Sequence, residues 1–148
     1  MPAIFCSFLF TELCSSRTQK ASAALKEQII GTWKLDSFMR ITEDKKEIQW
    51  CKGVNGFITY TEQGYMSASI NCDKDTPEDS PSHPYNNMLL YTANYEIKEN
   101  TVSHHVLNCS QLDLIGKDLP RTAEITESTL ILTGNSGRGN FRIVWKRI

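Results

Sequence analysis

The sequence predicts an all-β fold: an eight-stranded antiparallel up-and-down β-barrel with a short N-terminal helix. Two observations carry that expectation. From Gly31 onward apolar residues recur with period two, the spacing of a sheet with one buried face. Turn-forming residues cut the same stretch at intervals suited to hairpin-linked strands. At 148 residues the chain can bury one core and has no room for a second domain.

The N-terminal segment has two readings. Residues 4–10 resemble a signal h-region and Ala21-Ser22-Ala23 a small-residue cleavage site, yet no Lys or Arg precedes the apolar run, while Glu12, Arg17 and Lys20 follow it. In the preferred reading, Ser22 caps a short helix through Leu25, Ile29 and Ile30, whose helical spacing suits closing one end of a barrel. Residues 1–28 are thus an N-terminal extension and 29–148 the barrel domain.

Residues 32–40 form the clearest strand, with Trp33, Leu35 and Met39 on one face and Lys34, Asp36 and Arg40 on the other. Strands 57–60 and 65–70 flank Thr61-Glu62-Gln63-Gly64, a hairpin whose glycine suits a positive φ. Residues 72–87, with Pro77, Pro81 and Pro84, break strands; so long a loop stays on the surface and is functional or mobile. Strands 91–97 and 101–107 flank Lys98-Glu99-Asn100, with Asn100 suited to the left-handed position. Residues 110–120 are less regular. Strands follow near 121–125, 129–133 and 140–147; in the last, Phe141, Ile143 and Trp145 face opposite Arg142 and Lys146, and Gly134, Gly137 and Gly139 mark the final turn. Closing such a sheet removes its edges and leaves an interior for side chains or one small ligand.

Composition excludes several functions. Sixteen basic against seventeen acidic residues leave no dense positive patch for nucleic acid. The most apolar window, residues 1–13, is far short of the ~20 residues of a membrane span. Cys6, Cys14, Cys51, Cys72 and Cys109 contain no C-x-x-C pair, so neither a zinc ribbon nor a thioredoxin-type site is indicated; reduced, hydrophobe-like cysteines are preferred over a structural disulfide. The expected location is cytoplasmic, with an exported form as the alternative. No nucleophile elbow, phosphate loop or dinucleotide fingerprint occurs, and no cofactor is called for. Asp73, Asp75, Glu78 and Asp79 read as a solvated surface rather than a calcium site.

A family likeness then emerges. Gly31-Thr32-Trp33-Lys34-Leu35, the hairpin from Gly56 to Ala68, Tyr91 with Tyr95-Glu96-Ile97, Thr101-Val102-Ser103-His104-His105-Val106 and Val144-Trp145-Lys146-Arg147 together resemble the lipocalin-like domain family of bacteria and fungi over residues 30–148. The resemblance implies a calycin-type barrel with a central cavity, and it implies little about chemistry, some relatives sitting among natural-product biosynthesis genes. It also implies that Trp33 and Trp145 close the barrel floor, the first-strand tryptophan beside Arg147 or Lys146. The proline-rich loop and residues 110–120, which border the mouth in such barrels, depart from the family pattern, so no ligand identity carries over.

Within 101–107, Val102, His104 and Val106 share a face, which turns His104 inward. A neutral imidazole there suits hydrogen bonding to a ligand or general-base work; the competing reading is a core histidine satisfied by a tyrosine hydroxyl or a backbone carbonyl. His104 and His105 face opposite ways, which disfavours a metal at this pair. Tyr91, Tyr95, Tyr60 and Tyr65 offer rings with hydroxyls to a cavity wall, and Met66 and Met39 an adaptable surface; ordinary packing is their competing role. Two functions follow: binding a small, mostly apolar molecule as carrier or sequestering protein, or a cofactor-free isomerase or cyclase of small-molecule secondary metabolism with His104 as catalytic candidate. The partner is the small molecule, with a homodimer admitted.

Overall fold

A computed structural model describes residues 8–148, with side chains from Cys14 onward. Helix α1 (Phe8–Ile29) precedes nine strands: β1 (Gly31–Ile41), β2 (Glu47–Gln49), β3 (Asn55–Tyr60), β4 (Tyr65–Asn71), β5 (Met88–Lys98), β6 (Thr101–Cys109), β7 (Asp118–Ile125), β8 (Thr129–Asn135) and β9 (Asn140–Arg147). All pairings are antiparallel; β1 pairs with β3, each strand from β3 to β8 pairs with the next in the chain, and β1–β9 pairing closes the ring, while β2 is an extra strand on the half of β1 that outruns β3. The barrel is thus the expected eight strands plus one, and β2, exposed along its whole length, lacks the alternation that would have revealed it.

One irregularity decides what faces inward. The β1–β9 register shifts between Leu35 and Ser37, a bulge that leaves Asp36 without an opposite residue. Period two therefore slips by one, and Phe38 is buried where the regular pattern had put Met39.

The end of the barrel nearer α1 is closed by side chains. Ile29 and Leu25 are buried, and the Trp33 indole donates to the Ile29 carbonyl at 2.9 Å. Arg147 lies over the Trp33 ring at 4.0 Å and donates to the carbonyls of Ile30 (3.2 Å), Glu127 (2.9 Å) and Gln28. A cation thus satisfies carbonyls left free where α1 ends, so the first-strand tryptophan's basic neighbour is Arg147. Gly31, at φ 121°, turns the chain from helix into strand. Ser22 is not an N-cap: the helix begins well before it, and its hydroxyl accepts the Glu99 N–H at 2.8 Å, pinning α1 to the β5–β6 turn. In that turn Glu99, not Asn100, is left-handed, because Lys98 pairs with Thr101 and shortens the loop to two residues.

The opposite end is roofed. Cys51 and Cys72 form a disulfide, contrary to the preference for reduced thiols. It ties residues 50–54 to the start of the proline-rich loop. That loop is folded: Ser82 is fully buried, its N–H donates to the Trp50 carbonyl at 3.0 Å, and its hydroxyl bonds Asn87 at 2.7 Å. A short 3-10 turn, His83–Tyr85, buries Tyr85 against Trp50. Cys14 is exposed and Cys109 buried, both as free thiols; Cys6 lies outside the described residues. No helix among the described residues is long and apolar enough to cross a membrane.

Candidate ligand-binding site

Between the roof and the packed floor lies a cavity of about 320 Å³. Its wall is largely apolar: Ile58, Ala68, Ile70, Leu132 and Ile143 from the sheet, with an aromatic side made of Trp50 stacked on Phe38 at 4.7 Å and Phe141 edge-on to Phe38 at 6.0 Å. The proline-rich loop, Leu114, Leu119 and the β8–β9 turn form its rim. The size stands near the lower end of the ~300–1,000 Å³ typical of small-molecule pockets.

Of the seven residues expected to contact a ligand, Tyr91 alone lines this cavity. His104 is fully buried just behind it, with Nδ1 at 2.9 Å from the Tyr91 hydroxyl and Nε2 at 2.8 Å from the Tyr60 hydroxyl. Tyr60 and Met66 belong to the packed core. Tyr95 packs edge-on to Tyr60 at 5.0 Å and donates its hydroxyl to the Thr61 carbonyl at 2.7 Å, at the end nearer α1. Tyr65 is 54 % exposed on the outer face, because Met66, Ala68 and Ile70 take the inner positions of β4. Met39 is displaced outward by the bulge. Trp145, which the family resemblance places at the floor, also lines the cavity.

Hydrogen-bond satisfaction favours one of the two proton arrangements open to the Tyr91–His104–Tyr60 chain. The Tyr60 hydroxyl is buried away from the cavity with His104 as its hydrogen-bond partner, so accepting from the imidazole would leave its own proton unpaired, at a cost of about 1–3 kcal/mol. Tyr60 therefore donates to Nε2, the ring proton sits on Nδ1, and Tyr91 accepts it. The Tyr91 proton is then free to point to the cavity. Burial, reinforced by Arg121, lowers the His104 pKa to about 3 and keeps the ring neutral. Burial likewise raises the phenol pKa values of Tyr60 and Tyr91.

Sequence reasoning missed the most polar feature of the wall. Arg121 lines the cavity at 8 % exposure, stacked on the Phe141 ring at 4.6 Å, with one hydrogen bond, to the Pro120 carbonyl at 3.0 Å. Among the described residues no carboxylate pairs with it. Burial lowers its pKa, yet a guanidinium remains charged. The signal was present: Arg121 shares the strand face of Ala123. At the mouth, Arg138 stacks on Tyr85 at 4.5 Å, and Glu78 and Asp79 join the rim. Among the described residues no three His, Cys, Asp or Glu converge as metal ligands.

A closed antiparallel barrel with a capped floor and an internal cavity defines a lipocalin-like protein. Residues 30–148 match the family model of the lipocalin-like domain, and the chain belongs to that family. It is similar to the crystal structure of a lipocalin-like protein from Bacteroides uniformis, with a TM-score of 0.52 and 16 % identity over 82 % of this chain and 99 % of that one, a likeness of fold. No curated protein matches the sequence.

Proposed function

We propose that the barrel binds one small, largely apolar molecule in its interior, as a carrier or sequestering protein. The observation that carries this reading is the roofed cavity of about 320 Å³ walled by aliphatic and aromatic side chains. The bonding of His104 supports binding over catalysis. Both ring nitrogens are occupied by tyrosine hydroxyls, and a pKa of about 3 suits no general base working near neutrality. The Cys51–Cys72 disulfide supports an exported form over a cytoplasmic one, since such bonds persist in oxidising compartments.

The test uses N-phenyl-1-naphthylamine, a neutral fluorescent probe. It is expected to bind saturably at one per chain, and Ala68→Phe, which fills the cavity from a buried wall position, to weaken it about tenfold or more. Absent saturation, or full binding by a folded Ala68→Phe variant, contradicts the reading.

A further inference from the structure

We propose that the cavity selects a ligand bearing a carboxylate-like anionic head group, held by Arg121 with Tyr91 and Trp145 completing the donor set. The inference rests on the reading of the barrel as a ligand-binding protein and names the chemistry of what it binds. Three groups lining the cavity are involved, from β5, β7 and β9, and all are donors.

Arg121 is the first. A buried charge without a partner is costly, and proteins that keep one pair it, with a side chain, a metal or a ligand. Here the guanidinium uses one of its five N–H groups on a carbonyl and one face on Phe141, and the rest have no protein acceptor. The rim acids Glu78 and Asp79 make no ion pair with it. Gly134 makes room for this arrangement: a Cβ at that position would stand 2.9 Å from the Phe141 ring and 3.2 Å from Arg121 Cδ.

Tyr91 is the second. In the favoured arrangement, with Tyr60 donating to His104, the imidazole donates to Tyr91, and the Tyr91 hydroxyl is left with a proton to give while its oxygen already accepts one hydrogen bond. Trp145 is the third. Its ring lines the cavity, it is 1 % exposed, and its indole N–H is the one buried side-chain polar atom among the described residues without a partner. An indole can only donate. A fixed positive charge with two neutral donors and no buried carboxylate in the cavity lining is complementary to an anion, and a planar guanidinium matches a carboxylate in geometry as well as charge. The aliphatic and aromatic remainder of the wall suits the apolar body of such a molecule.

The experiment compares two isosteric ligands by titration calorimetry, 2-naphthoate and 2-naphthamide, on the full chain. The acid is expected to bind about tenfold or more tightly than the amide. Arg121→Met brings the two to within about twofold of each other while N-phenyl-1-naphthylamine still binds, and Tyr91→Phe, a smaller change, narrows the preference severalfold. An amide as tight as the acid, or an acid preference that survives Arg121→Met or is untouched by Tyr91→Phe, overturns the proposal. Failure of both naphthalene ligands while N-phenyl-1-naphthylamine binds overturns it too and leaves the cavity reading standing. Loss of all three from the unmodified protein overturns both.

Discussion

His104 stands between two phenol hydroxyls, and its burial gives one pH dependence a definite sign. Its pKa falls from 6.5 to about 3 on folding, so below pH 6.5 the unfolded chain takes up a proton that the folded chain refuses. This group's contribution is fully present above the unfolded pKa and is lost as pH falls from about 6.5 towards 3. Between pH 7 and pH 5 the loss is about 2 kcal/mol. Urea unfolding at the two pH values is expected to show that drop in the unmodified protein and most of it absent in His104→Gln, which keeps a donor and an acceptor without titrating. Equal pH dependence in both proteins contradicts a buried neutral histidine. At this scale the sequence was informative wherever alternation held. It turned His104 inward, and a core histidine satisfied by a tyrosine hydroxyl or a backbone carbonyl was one of its readings. The same rule, applied to β4, separates Tyr65 from Met66, and applied to β7 places Arg121 with Ala123 on the inner face. What it cannot reveal is an orphaned indole N–H, which depends on neighbours brought together from several strands.

Among the elements, the strands were legible and their interruptions were not. The hairpin at Thr61–Gly64 follows from local turn chemistry and the one after Lys98 was legible in place but not in which residue is left-handed, whereas the β1 bulge at Asp36 arises from pairing with β9, more than a hundred residues away in the chain. The proline-rich loop was read correctly as irregular, but its role as a roof comes from the disulfide, Ser82 and Tyr85, none of which has a local signature. The disulfide spans 21 residues of chain, and removing it with the paired Cys51→Ser and Cys72→Ser substitutions is expected to lower stability by about 3 kcal/mol. Because it anchors the roof, dissociation of N-phenyl-1-naphthylamine, followed by stopped-flow displacement, is expected to be several times faster in the same variant. Unchanged stability together with an unchanged off-rate contradicts the structural role assigned to this bond.

At the scale of the whole molecule, period-two patterning and hairpin spacing sufficed for a closed barrel, because eight amphipathic strands in sequence order leave few other ways to bury their faces. The interior was harder. A cavity is the space that side chains do not fill, and its outline depends on the bulge, the glycine at 134 and the fold of the roof together. The expected wall of tyrosines and methionines gives way to an aliphatic and aromatic chamber with one buried cation. The most direct test of this account is native mass spectrometry of the protein purified from its own cells without a hydrophobic exchange step. The account predicts a single small molecule retained per chain, released on unfolding and detected as an anion. A bare mass for the freshly purified protein, with N-phenyl-1-naphthylamine bound equally by the unmodified chain and by Ala68→Phe, would contradict it.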